Sequence, residues 1–247
     1  MLPPGLLRLF RQGQAWAEEA PFRLTRLLVV RHARTALNAQ GILQGPWLDP
    51  PLDTVGRMQA LLLGQRLAAT PFASVWSSPL RRAVETAEPA ARASSAAFYE
   101  DDRLLEIDWG DWNGLRKDGP LLRDVDALAR RWAAGDLDAR PPRGESAAEA
   151  LGRARAAVRD ATRSAPRGSD VVLVAHGRLN RLLVSWLAHG DASQQDAFPA
   201  SNAGLTILAR EGRRWHPERV DCRAHLDDAP QKAGYRGRAS GAPCAST

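Results

Sequence analysis

Two short apolar runs, each ending in a histidine, constrain this chain more than any other feature. Leu27-Leu28-Val29-Val30 leads into Arg31-His32-Ala33-Arg34-Thr35, and Val171-Val172-Leu173-Val174-Ala175 leads into His176-Gly177. Such runs, rich in β-branched residues and without polar alternation, are expected of strands covered on both faces. In an open α/β sheet, ligands sit outside the carboxyl ends of parallel strands. Two strands that both end in His can bring their imidazoles together at one sheet edge, with Arg31 beside them. That grouping suits an anion held next to a nucleophile or base. For either His alone, a helix cap or an exposed side chain is the plain alternative.

Further motifs lie between and after these strands. They are Pro51-Leu52-Asp53-Thr54-Val55-Gly56-Arg57-Met58-Gln59-Ala60, Ser77-Ser78-Pro79-Leu80-Arg81-Arg82-Ala83-Val84-Glu85-Thr86-Ala87, and the stretch Leu104-Leu105-Glu106-Ile107-Asp108-Trp109-Gly110-Asp111-Trp112-Asn113-Gly114. Together with Arg31-His32-x-x-Thr35 and His176-Gly177, the pattern resembles the histidine phosphatase superfamily, the phosphoglycerate mutase-like proteins, over roughly Leu24 to Ala209. The resemblance implies an α/β fold of three layers, a mostly parallel central sheet with helices on both faces. The chain departs from the family pattern at Ala33, where the family has Gly, and at Asp53, where it has Thr. Aspartate and threonine can each cap a helix through a side-chain oxygen. Glycine after the first His serves either a close approach of phosphate to backbone or an unusual φ, and alanine adds a single methyl.

The resemblance also assigns roles. His32 falls on the nucleophile, and Arg31, Arg82 and His176 on the positions that hold phosphoryl oxygens. Asn38, Gln44 and Asn202 match polar positions around the phosphate pocket, although for Gln44 turn chemistry reads equally well. Arg81 is the competitor of Arg82 and is expected to be solvated. Glu106 falls on the acid, with Asp108 and Asp111 as rivals. Glu106 alone is flanked by apolar residues on both sides, which suits a carboxyl kept partly dry with a raised pKa. Arg34, at a position the family leaves variable, is either solvated or reaches a second anionic group on a substrate.

Around these motifs the chain alternates between the two periodicities. A loop spans Thr35 to Pro51, and a helix carrying Met58, Leu61, Leu62 and Leu67 packs on the sheet. A strand at Ser74–Ser78 precedes a helix with Pro79 in its first turn, and a strand follows at 97–99. Helices are expected from Asp118 to Trp132, from Gly144 onward, and from Arg178 to His189, which caps its end. Arg153, Arg155 and Arg159 are read as solvent-facing, and Trp109 and Trp112 as packing their loop onto the domain. The last core strand follows Asn202. His216 and His225 are read as surface residues.

The 247 residues suit one domain, expected over 23–226, with an N-terminal extension over 1–22 and a disordered tail over 227–247. The net charge is +6, and only two of the 34 basic residues are lysines. A skewed composition accounts for that, as does a preference for phosphate-bearing ligands. No basic run or recognition motif calls for nucleic acid, and nothing approaches a membrane span. Cys222 and Cys244 form no metal-ligand spacing and no paired framework, so a reducing, cytoplasmic setting is expected. A homodimer is compatible with the sequence.

Phosphoryl removal needs an in-line nucleophile, positive charge on the equatorial oxygens, and a proton for the leaving alkoxide. His32, the arginines with His176, and Glu106 supply these without metal or cofactor. The guanidiniums are expected to depress the His32 pKa. The expected activity is a metal-independent phosphomonoesterase acting on a small phosphorylated metabolite through a phosphohistidine. Glu106 and His176 lie 70 residues apart, an interval that looks like the family's compact phosphatases rather than its mutases. Mutase-type phosphoryl transfer is the first alternative. A catalytically silent regulator that binds phosphorylated ligands is the second, favoured only by Ala33.

Overall fold

The computed structural model describes residues 26–212 and 214–227. The expected extension over 1–22 lies outside the described residues, as does the expected tail apart from Asp227. Six strands form one sheet in the order β3-β2-β4-β1-β5-β6. They are β1 (Arg26–Arg31), β2 (Ser74–Ser77), β3 (Ala97–Glu100), β4 (Val171–Ala175), β5 (Leu205–Glu211) and β6 (Arg214–Cys222). The helices are α1 (Ala36–Ala39), α2 (Thr54–Ala68), α3 (Arg81–Ser94), α4 (Gly119–Ala133), α5 (Ala147–Ser164), α6 (Gly177–His189) and α7 (Ala224–Asp227).

The apolar runs at 27–30 and 171–175 are the two central strands. They pair in parallel, Leu27 opposite Val171 and Arg31 opposite Ala175. β2 lies parallel on the far side of β4, and β3 parallel beyond it. β5 and β6 complete the sheet antiparallel. Alternate residues of each central strand serve opposite layers, as the two-residue period of a strand requires. Leu27, Val29, Val171 and Leu173 pack with α4, α5 and α6, whereas Leu28, Val30, Val172 and Val174 pack with α2 and α3. The expected three layers follow from this alternation.

Several local expectations need correcting. Met58 and Leu61 are exposed, and α2 instead packs through Gln59, Ala60, Leu63, Gly64 and Leu67. Asp53 does cap that helix, accepting from the Gly56 N–H at 2.7 Å. Pro79 lies before α3 rather than in its first turn, since Leu80 is the N-cap. His189 is the last residue of α6, but the helix stops at Gly190, whose φ of 73° is the left-handed conformation that favours glycine. The strand β6 has no counterpart in the sequence reading. His225 is buried against the domain, not at its surface. Cys222 is buried and disulfide-bonded, which corrects the expectation of unpaired cysteines; Cys244 lies outside the described residues.

Candidate active site

Three adjacent parallel strands end together. Ser78 follows β2, His176 follows β4 and His32 follows β1. The Ser78 N–H donates to Val174 O and the His32 N–H to Ala175 O, both at 2.9 Å. The two imidazoles therefore meet, with ring centroids 5.2 Å apart. His32 Nδ1 lies 2.8 Å from Ala33 O. A carbonyl only accepts, so Nδ1 carries the hydrogen and Nε2 keeps its lone pair. Burial holds the His32 pKa well below the usual imidazole value, and the charges of Arg82 and then Arg31 push it the same way. The arginines act as expected, but burial comes first.

Arg82 is fully buried in the first turn of α3 and donates to Leu48 O at 2.6 Å and Gly45 O at 3.2 Å. Burial lowers its pKa to about 10. Its neighbour Arg81 faces solvent and pairs with Glu85 at 2.6 Å, as expected. Asp49 accepts the Arg81 N–H at 2.9 Å, so this helix start is already partly occupied. Arg31 donates Nη1 to Ala200 O at 2.8 Å. A Cβ at Gly177 would stand 3.1 Å from Arg31 Nε, so the guanidinium would have to give by a few tenths of an ångström.

Glu106 is buried at the start of α6. Its Oε1 accepts from Leu179 N and from its own neighbour Ile107 N, both at 3.0 Å, and Oε2 accepts from Arg178 N at 3.1 Å. The carboxyl is thus held by three backbone donors and not only by apolar flanks. The rivals are engaged elsewhere: Asp108 accepts from Trp47, Gly110 and Asn113, and Asp111 pairs with Arg143. His176, fully buried, has Nε2 2.8 Å from Ser78 Oγ.

An open pocket of about 240 Å³ is walled by Arg31, His32, Asn38, Gln44, Glu106 and Arg178 among others. Gln44 Oε1 accepts from Thr35 Oγ1 at 3.0 Å, which turns the amide nitrogen away from that partner. Asn202 is not in the pocket wall. Its side chain donates to His32 O at 3.0 Å and to Asn38 Oδ1 at 3.2 Å, so it touches the backbone of His32 and the acceptor of Asn38. Arg34 pairs with the helix-capping Asp53 at 2.8 Å. Ala33 has no left-handed backbone among the described residues, and its methyl packs with Leu52, Ala60, Ala203 and Leu226.

Four buried nitrogens around His32 have no hydrogen-bond partner among the described residues: Arg31 Nε, Gln44 Nε2, Arg82 Nε and His176 Nδ1. Buried polar groups are almost always paired. A cluster of unpaired ones beside an unprotonated imidazole is suited to an anion rich in acceptors.

The sequence reading missed Arg153. It does not face solvent but donates to Arg103 O, Leu105 O and Glu106 O at 3.0, 2.6 and 3.2 Å, and pairs with Glu145 at 2.7 Å. Glu145 in turn meets Asp108 through the backbone at both ends. Its place among several arginines on one helix hid this, and only its facing of the acid loop across the fold reveals it.

A family model for the histidine phosphatase superfamily (branch 1) matches residues 27–223. Phosphoserine phosphatase 1 of Hydrogenobacter thermophilus is 30% identical over 205 residues, covering 83% of this chain and 96% of that protein. A Salmonella choleraesuis protein named "Probable phosphoglycerate mutase GpmB" is 30% identical over 192 residues, covering 78% of this chain and 88% of its own. The solved mycobacterial glucosyl-3-phosphoglycerate phosphatase in complex with VO3 superposes with a TM-score of 0.70 at 32% identity, over 81% of this chain and 100% of that one. With paired strand-end histidines, the flanking arginines and a family match over most of its length, this chain belongs to the histidine phosphatase superfamily.

Proposed function

We propose that the protein is a metal-independent phosphomonoesterase acting on a small phosphorylated metabolite through a phosphohistidine. The observation that carries this reading is the set of four unpaired buried nitrogens around the unprotonated His32. A phosphoryl group supplies acceptors for all of them. His32 Nε2 attacks phosphorus as the ester P–O bond breaks, and Glu106 gives a proton to the leaving alkoxide. Oε2 has a single backbone partner, so a lone pair remains there for that proton. Water then gives its proton to Glu106 and attacks phosphorus, the P–N bond breaks, and phosphate leaves. Arg31, Arg82, Gln44 and His176 hold the phosphoryl oxygens, with Nδ1–H of His176 donating while Ser78 donates to Nε2. Asn38 donates from its amide once Asn202 and Thr35 engage its oxygen. The positive charge comes from guanidiniums, and a chelator should leave turnover unchanged.

The relatives named as phosphatases support the reaction class, and the open pocket favours access of water to the phosphoenzyme. The relative named as a mutase favours a second reading. Product analysis with 3-phosphoglycerate separates the two, since a mutase yields mainly 2-phosphoglycerate and a phosphatase releases phosphate. The methyl of Ala33 packs with Leu52, Ala60, Ala203 and Leu226 and does not line the pocket, which weighs against a silent regulator. A cytoplasmic setting belongs to the same reading; no described helix is long and apolar enough to cross a membrane. Cell fractionation decides it.

The mechanism is tested by rapid alkaline quenching during turnover, which should trap phosphate on His32, since phosphohistidine survives base. Glu106→Gln should slow transfer from alkyl phosphates by about 10²–10⁴-fold, and transfer from p-nitrophenyl phosphate much less. Near wild-type turnover in His32→Ala would end the proposal.

A further inference from the structure

The pocket is much larger than a phosphoryl group, and its remaining wall is strongly one-sided in charge. Beyond the groups that surround His32 it is lined by Lys117, Arg178 and Arg181 and by the apolar Ile42, Leu43 and Trp109. Among the described residues, Glu106 is the only acid in the wall.

These cations are fixed in place by the fold. Lys117 is brought to the pocket by a short antiparallel pairing of two loops. Ile42 bridges Arg116, the Lys117 N–H donates to Gly41 O at 2.8 Å, and the Leu43 N–H donates to Leu115 O at 2.9 Å. Arg178 and Arg181 are three residues apart on α6 and so share a face. A short helical turn at Ser193–Ala197 holds both: Arg178 Nη1 donates to Gln195 Oε1 at 2.9 Å, and Arg181 donates to Gln195 O at 3.2 Å and Asp196 Oδ1 at 2.6 Å.

Their charge is only partly answered. Asp196 serves both arginines, at 2.6 Å from Arg181 and 3.8 Å from Arg178. Lys117 has Asp126 at 3.8 Å, a loose contact. Arg178 is pushed down to about 10 by burial and then by the charge of Arg181, and Arg181 also acts against Arg31. Arg178, Arg181 and Arg31 thus act against one another, and an anion entering the pocket relieves that repulsion.

We propose that Lys117 and Arg181, with Arg178 behind them, form a second anion subsite that binds a carboxylate or further phosphate on the leaving group. The inference rests on the phosphomonoesterase reading and narrows its substrate class to esters carrying two separated anionic groups. Ile42, Leu43 and Trp109 then cover the carbon skeleton between the two charges. The recognition is by charge-assisted hydrogen bonds, a contact of the kind whose loss costs about tenfold or more in binding.

The test uses two ester pairs. 3-Phosphoglycerate and glycerol 3-phosphate differ by a carboxylate in place of a hydroxymethyl group. Fructose 1,6-bisphosphate and fructose 6-phosphate differ by one phosphate. Phosphate release by the full-length enzyme should show at least a tenfold preference in kcat/KM for the more anionic member of one pair, expressed mainly in KM. The pair that responds identifies the anion as carboxylate or phosphate. The preference should shrink below threefold in Lys117→Met with Arg181→Met, and in Lys117→Met alone should fall partway; the single change lies on a loop and spares the Gln195 contacts. Ratios near one in both pairs, with p-nitrophenyl phosphate still turned over, would overturn the subsite and leave the phosphomonoesterase reading intact. A preference that survives the double change would overturn the subsite too. If no ester is hydrolysed, the phosphomonoesterase reading fails instead, and calorimetric affinities for the same pairs decide the subsite by the same ratios.

Discussion

At His32 a single carbonyl sets the chemistry. Because Ala33 O can only accept, the ring is fixed as the tautomer with Nδ1 protonated and Nε2 carrying the free lone pair. Burial and two guanidiniums keep the second proton off. A proton and carbon NMR titration of the imidazoles, assigned by comparison with His32→Ala, should therefore show no His32 midpoint between pH 8 and 6.5. A midpoint at or above 6.5 would mean that the proposed nucleophile is cationic before substrate binds. The next residue carries a separate prediction. The Ala33 methyl fills space among Leu52, Ala60, Ala203 and Leu226 rather than narrowing the pocket. Ala33→Gly should thus cost about 1–2 kcal/mol of stability, from the lost methyl and the freer unfolded chain. Its kcat/KM should stay within about threefold of the parent. Urea unfolding and steady-state kinetics measure both; a large gain in rate would show that the methyl obstructs phosphate after all.

At the scale of elements, Glu106, the proposed acid, belongs to a loop held from below by one arginine of α5. Arg153 ties three successive stretches of backbone around Glu106 to Glu145. Arg153→Met leaves those carbonyls without their donor, and Glu106 should lose its alignment with the leaving oxygen. The expected result is a fall of about 10–100-fold in kcat for alkyl phosphates, with a smaller fall for p-nitrophenyl phosphate, which needs no proton. Equal losses on both substrates would mean the clamp serves only stability. That Arg153 escaped the sequence reading, while His32, His176 and Glu106 did not, has a physical reason. β1 and β4 are buried on both faces, so their residues are apolar without interruption and the polar residue that ends each run stands out. The role of Arg153 depends on which loop lies across from its helix, and no local pattern encodes that. β6 was missed for another reason. It pairs on one side only, and an edge strand carries charges and proline where a central one cannot. Arg214-Trp215-His216-Pro217-Glu218-Arg219 therefore reads as loop. Gln44 was legible as a position but not as a donor, since its amide is oriented by Thr35.

For the whole molecule, the buried histidines make stability depend on pH in a defined window. His32, His176 and His225 each have a native pKa below the 6.5 of a free imidazole, with burial the largest cause in every case. Above about pH 6.5 the imidazoles are neutral in both folded and unfolded chains and contribute nothing to the pH dependence. As pH falls below that value the unfolded chain takes up protons first, so folding stability declines until the native pKa is reached. His225 sits where the short helix α7 docks onto α2, with Arg66 lowering its pKa and Asp227 raising it, and titrates at about 4. Between pH 6.5 and 5 it alone should cost about 2 kcal/mol, at roughly 1.4 kcal/mol per pH unit. The carboxylates held below their usual range, Asp101, Asp108, Glu149, Asp160 and Asp191, lose their stabilising contacts only at still lower pH. A comparison at pH 7.5 and 5 therefore isolates the histidines. Urea unfolding of His225→Leu should show a loss between those two conditions about 2 kcal/mol smaller than in the parent, because the substituted side chain has no proton to gain. A loss of the same size in both proteins would place the acid sensitivity at the paired histidines of the sheet edge instead. In that case acid would unfold the molecule from its functional edge rather than from the docking of α7.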